Sequence, residues 1–180
     1  MASICVYCAS SETIDPTYVE LATQVGARLA IDGHSLVSGG GRVSMMGAVA
    51  RAARSGGAHT VGVIPSHLVP FEVADTEADE LVVVDTMRER KQIMDERSDV
   101  FIALPGGIGT LEELFEIWTS SSLGMHPKPV IVLDPFDFYS PLWAWLGDLV
   151  GRGFVRQAAL DALHRVRTVE DAFAVVAKTA

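Results

Sequence analysis

Two glycine-rich segments, Ser38-Gly39-Gly40-Gly41-Arg42 and Pro105-Gly106-Gly107-Ile108-Gly109-Thr110, have the residue types that let a backbone close around an anion. Glycine reaches positive φ and lets a ligand approach the main chain, and a helix starting just behind it offers free N–H groups and the positive end of its dipole. Each segment follows an apolar, β-branched run and should open a helix. A tight strand-to-helix turn uses the same residues, but two such turns at equivalent positions favour a bound phosphate, with Gly40 and Gly41 as contacts in the first. Ser10, Ser11 and Ser38 either donate hydrogen bonds to that phosphate or terminate strands.

Behind the second loop stand three carboxylates. Leu111, Leu114, Phe115 and Trp118 keep helical spacing and should face a core, which leaves Glu112, Glu113 and Glu116 on other faces. Thr110 and Glu113 also have the spacing of a capping box, so the local sequence leaves Glu113 open to two roles, helix closure or acid–base chemistry. A third segment, Thr86 to Met94, has Met87 and Met94 one heptad apart and inward, with Arg90 and Lys91 on the same face. Two inward cations either pair with structural carboxylates or hold an anion, and the neighbouring loops favour a phosphorylated sugar.

Other chemistries are poorly represented. The first strand-to-helix turn, Cys8-Ala9-Ser10-Ser11-Glu12, has no glycine, against a dinucleotide fingerprint, and neither loop ends in the Gly-Lys of a Walker A motif. No metal is expected, since His34, His59, His67, His126 and His164 lack ligand spacing, and there is no G-x-S-x-G elbow for a serine hydrolase. A net charge of -9 argues against a nucleic acid polymer as partner. No apolar run reaches the roughly 18 residues of a membrane span, and the first residues lack a basic leader, so neither membrane insertion nor secretion is indicated and a cytoplasmic chain is expected. Cys5 and Cys8, three apart on a strand, should face opposite ways, which makes their C-x-x-C spacing uninformative.

The elements that must position these groups alternate. Candidate buried strands are Ile4–Cys8, Ser35–Ser38, Thr60–Ile64, Leu81–Asp85, Val100–Leu104 and Val130–Leu133. The first helix should start at Asp15-Pro16, end near Gly33 and lay Tyr18, Leu21, Ala22, Val25 and Leu29 on a sheet. Trp143–Val150 reads as helix, and Thr168 with Asp171 starts a last one. In 180 residues this pattern predicts a single α/β domain over 1–180, a doubly wound (Rossmann-like), mostly parallel sheet with helices on both faces. Ligands of such sheets bind beyond the carboxyl ends of the strands.

The run Pro105-Gly106-Gly107-Ile108-Gly109-Thr110-Leu111-Glu112-Glu113 resembles the P-G-G-x-G-T-x-x-E signature of the Lonely Guy phosphoribohydrolases. Cys5–Ser11, Ser38–Gly47, Met87–Lys91 and Lys128–Leu133 are similar to further family segments, so the resemblance covers nearly the whole chain. It implies hydrolysis of N6-modified AMP, such as isopentenyl-AMP, to free base and ribose 5-phosphate, without metal or redox cofactor, by a homodimer. The resemblance makes Arg90 and Glu113 catalytic, Lys91, Gly106, Gly107, Gly109, Thr110 and Glu112 nucleotide contacts, and Glu72 a further substrate contact. Ser38 and Ser44 stand where many relatives have tyrosine and glycine. Many relatives carry a lysine-decarboxylase label, yet that chemistry needs pyridoxal phosphate on a lysine and only Lys91, Lys128 and Lys178 are available. A general AMP nucleosidase, or a noncatalytic nucleotide carrier in which Glu113 only caps its helix, would use the same residues.

Overall fold

The computed structural model describes residues 1–178, with the side chains of Phe71 and Glu72 outside that description. Among the described residues, seven parallel strands form one sheet in the order β4-β3-β2-β1-β5-β6-β7. They are β1 (Ser3–Tyr7), β2 (Ser35–Ser38), β3 (Thr60–Pro65), β4 (Glu80–Val84), β5 (Val100–Ala103), β6 (Val130–Leu133) and β7 (Leu163–Val166). The helices between and after them are α1 (Pro16–Ile31), α2 (Ser44–Ser55), α3 (Met87–Glu96), α4 (Ile108–Ser122), α5 (Ser140–Gly151), α6 (Gln157–Asp161) and α7 (Val169–Val176).

Alternate strand residues feed two cores. Ile4, Val6, Leu36, Ile102 and Ile131 point to the face covered by α1, α2 and α7. Cys5, Tyr7, Val37, Phe101 and Val132 point to the face covered by α3, α4 and α5. A strand buried on both faces needs apolar residues throughout, which is why these runs read so clearly. Each fully buried Leu, Ile, Val or Phe contributes about 1.5–3 kcal/mol. Cys5 and Cys8 fall in opposite cores, as their spacing requires.

The first helix begins as expected, with the Asp15 carboxylate accepting from the Thr17 amide at 2.9 Å. It ends when Gly33 enters the left-handed region at φ 72, bringing the His34 amide onto the Leu29 carbonyl. The six expected strands are present with ends moved by at most a residue. β7 went unpredicted because only Leu163 of its four residues is buried, while His164 and Arg165 face solvent at the sheet edge.

The strand order reverses between β1 and β5. β1 leads to α1 on one face and β5 leads to α4 on the other, so their outgoing loops diverge and leave a crevice at the carboxyl edge.

Candidate active site

A cavity of about 250 Å³ occupies that crevice. Its walls come from the loop after β1 (Cys8 to Ser11), Gly39 after β2, Leu68 after β3, Met87, Arg90 and Met94 of α3, and Gly107 to Thr110 with Glu113 of α4. Tyr7 and Met46 complete it from below. Five segments distant in sequence thus converge because each follows, or packs against, the carboxyl end of a central strand.

Arg90 is buried, and its guanidinium is spread under the cavity floor. Nε donates to the Val63 carbonyl at 3.1 Å and Nη2 to the Gly39 carbonyl at 2.8 Å, while Nη1 lies 3.7 Å from the Met87 sulfur. The helix carrying it is held by a capping box: the Thr86 hydroxyl accepts from the Glu89 amide at 3.1 Å, and the Glu89 carboxylate accepts from the Thr86 amide at 3.1 Å. Gly39 makes this seat possible. A Cβ there would overlap the guanidinium, so only a residue without one lets Arg90 reach β2.

The expected box between Thr110 and Glu113 does not form. α4 starts at Ile108 with Gly107 as its N-cap, so Thr110 already lies inside the helix, buried against Gly106, and Glu113 lies a further turn along. A carboxylate so far from the N-terminus cannot close it, and Glu113 lines the cavity instead. Its charge is felt by the whole end of β1. Burial, then the Glu113 charge, push the Cys5 and Cys8 thiols up; burial, with Cys5 and Glu113 beside it, raises the Tyr7 phenol.

The helix starts are used unequally. α1, α3 and α7 are capped by Asp15, Thr86 and Thr168, whereas α2, α4, α5 and α6 have no side-chain cap, and of these α2 and α4 are opened by glycine loops. The first turn of α4, with Gly109 and Thr110 in the cavity wall, thus keeps amides that no side chain caps, with the dipole behind them.

Of the residues expected at the site, Ser10, Arg90, Gly107, Gly109, Thr110 and Glu113 line the cavity together. Gly106 packs beneath Thr110, and Gly40 and Gly41 support the wall from outside it. The Gly40 carbonyl accepts from the Asp75 amide at 2.8 Å, and Gly41 bridges to Ala74. Lys91 and Glu112 sit elsewhere. Lys91 pairs with Glu112 and, at 2.6 Å, with Glu116, beside a neighbouring hollow that backs onto Glu113. Burial depresses the Lys91 ammonium, but the hydrogen bonds it donates to Glu112 and Glu116 outweigh that and the net shift is upward. The Glu72 contact lies outside the described residues. Tyr7, Met46 and Leu68 were not anticipated, and within the expected glycine loop Gly39 lines the cavity in place of Gly40 and Gly41, because the tertiary path of Arg90 and the reversal at β1 decide which residues come in.

The segment between β3 and β4 is clamped over the glycine loop by a largely buried ion pair, Arg54 Nη1 to Asp75 Oδ2 at 2.7 Å, with Arg54 Nη2 to Oδ1 at 3.1 Å. Arg54→Met should cost about 3 kcal/mol of unfolding free energy in urea, since it leaves the Asp75 charge buried and uncompensated. A loss below 1 kcal/mol would show that water reaches Asp75 readily.

The family model described as "Possible lysine decarboxylase" matches residues 46–176. A cytokinin riboside 5'-monophosphate phosphoribohydrolase of Mycobacterium tuberculosis is 54% identical over 170 residues, covering 94% of this chain and 90% of its own. The protein of the same name from Mycobacterium marinum is 52% identical with the same coverage. Among solved structures, the molybdenum cofactor binding protein of Rippkaea orientalis superposes with a TM-score of 0.74 at 26% identity, over 98% of this chain and 95% of its own. The chemistry in the family model's description needs pyridoxal phosphate on a lysine, and the residues do not fit it: among the described residues no lysine lines the cavity, Lys91 is held by two glutamates and Lys128 by Asp95 at 2.8 Å. The match over most of the chain, and identity above one half to relatives of almost equal length, place this chain in the Lonely Guy family of phosphoribohydrolases.

Proposed function

We propose that the chain hydrolyses the N-glycosidic bond of an N6-modified AMP, a cytokinin riboside 5′-monophosphate such as isopentenyl-AMP, releasing the free base and ribose 5-phosphate. The observation that carries this reading is the placing of Arg90 and Glu113, from two different helices, in one cavity beside the uncapped start of α4. In the reaction the C1′–N9 bond breaks with its electron pair going to the base. Water then adds its hydroxyl to C1′, and its proton ends on the base. The ribose passes through an oxocarbenium-like state, which a carboxylate beside C1′ stabilises while drawing the proton from the attacking water. Glu113 takes that role. Arg90, fixed by two carbonyls, orients the nucleotide and the carboxylate, and the amides of Gly107, Gly109 and Thr110 hold the 5′-phosphate.

The phosphate should dominate recognition. Removing it should lower kcat/KM at least ~100-fold, the worth of a few charge-assisted hydrogen bonds. Steady-state rates on isopentenyl-AMP, AMP and isopentenyladenosine test this. Comparable rates on the two nucleotides favour a general AMP nucleosidase, and comparable rates with and without phosphate overturn the phosphate assignment.

The reading takes residues 1–180 as one catalytic unit acting in the cytoplasm; among the described residues no helix is long and apolar enough to cross a membrane. A homodimer is part of it. Trp145 and Phe154 are 55% and 74% exposed beside a hollow lined by Trp118 and Leu149, an apolar face suited to a second copy. Light scattering should return twice the chain mass, and a monomer mass at micromolar concentration would remove the dimer.

A further inference from the structure

Ser44 stands at the first position of α2 with φ 48, in the left-handed region that an L side chain enters at a cost. The turn leading to it is held from several sides. The Arg42 amide donates to the Val73 carbonyl at 3.0 Å, Arg51 Nη1 to the Arg42 carbonyl at 3.1 Å, and the Gly47 amide to the Val43 carbonyl at 3.0 Å. From this enforced position the Ser44 hydroxyl donates to the carbonyl of Ser11 at 2.6 Å, a bond between loops 33 residues apart.

Ser10 and Ser11 both line the cavity, on a loop with no glycine of its own. Its internal bonds at that point are local, Ser11 Oγ to Thr13 Oγ1 at 3.0 Å and the Thr13 amide to Ser11 Oγ at 3.4 Å. Local bonds shape a loop without fixing it to the neighbouring wall. The Ser44 bond does fix it, joining the loop after β1 to the loop after β2, on which Gly39 lines the same cavity.

We propose that Ser44 is a positioning residue for phosphate recognition: its strained backbone aims a hydroxyl that locks Ser10 and Ser11 against the glycine loop, so that this wall of the cavity, which they share with the α4 amides assigned to the phosphate, is set before the nucleotide arrives. The proposal rests on the nucleotide reading given above. A loop held in place beforehand spares the substrate the ordering cost, so the effect belongs in binding rather than in the chemical step.

Three variants separate the contributions. Ser44→Ala keeps the strain and loses the donor, Ser44→Gly loses both, and Ser44→Asn keeps an amide donor on a residue that tolerates positive φ. With isopentenyl-AMP, Ala and Gly should raise KM about five-fold, the worth of one hydrogen bond, with kcat within about two-fold of wild type. Asn should restore KM, and kcat/KM on isopentenyladenosine should stay unchanged in all three. The melting temperature of Ser44→Gly should match or exceed wild type. KM at the wild-type value in Ala and Gly, equal losses on the nucleoside, or KM changes that only follow lowered melting temperatures would each overturn the assignment. Calorimetric titration with AMP reads the same fold-changes as Kd even where no turnover occurs, so failure of this proposal is distinct from failure of the hydrolase reading.

Discussion

Glu113→Gln is expected to lower kcat on isopentenyl-AMP by about 10²–10⁴-fold, the usual worth of a positioned acid–base group, while Kd for the nucleotide and the melting temperature stay close to wild type. The amide has nearly the shape of the carboxylate but can neither balance the positive ribose nor take a proton from water. The structure makes this a clean test. Glu113 lies beyond the first turn of α4 and does not cap it, so its loss should not unravel the helix. The control is Thr86→Ala, which removes a cap that does form, at the start of the helix carrying Arg90. It should cost about 1 kcal/mol of stability, with kcat little changed. If Glu113→Gln instead lowers the melting temperature and leaves kcat per folded molecule intact, Glu113 is structural.

The second large effect is expected at a residue with no side chain. Gly39→Ala should reduce kcat/KM at least ~100-fold and also destabilise the fold, because the added Cβ would lie 2.8 Å from Arg90 Cζ and 2.9 Å from the Met46 methyl. The guanidinium cannot stay on the Gly39 and Val63 carbonyls, and a displacement of about an ångström at a substrate-orienting group costs on this scale. A buried cation with fewer partners adds to the stability loss. Unfolding in urea, read beside kinetics on the folded fraction, separates the two effects. Near-normal kcat/KM in Gly39→Ala would mean that Arg90 works from a different position.

How far the molecule could be read from its residues depends on the range of the interaction concerned. β1, β2, β3, β5 and β6 were legible because buried parallel strands leave uninterrupted apolar runs, and α1 because Asp15-Pro16 and Gly33 mark its ends. β7 was not, since an edge strand with His164 and Arg165 outward carries no such run. The capping signals misled in an instructive way. Thr110 and Glu113 have the spacing of a box, but Gly107 starts the helix three residues earlier, where no side chain caps the first turn; Thr86 and Glu89 have the same spacing and do close. Motif spacing states what is possible locally, and the preceding strand decides where the helix begins.

The site divides the same way. Gly107, Gly109, Thr110 and Glu113 share one loop and helix, so their grouping follows from sequence adjacency, and the inward face of α3 indicated Arg90. The separation of the next pair was not legible. Arg90 turns toward β2 while Lys91, one residue on and 100° around the helix, turns to Glu112 and Glu116. Nor was the choice of Gly39 over Gly40 and Gly41 as the residue under Arg90, which depends on a side chain 51 residues away.

Cleavage of the bound nucleotide is what separates an enzyme from a carrier on this fold. The measurement that addresses it is a count of free base and ribose 5-phosphate against isopentenyl-AMP consumed, at nucleotide in large excess over wild-type chain. Both products should appear in equal amounts, many per chain. Nucleotide bound at about one per chain and recovered intact would contradict it, and would make this cavity a carrier's.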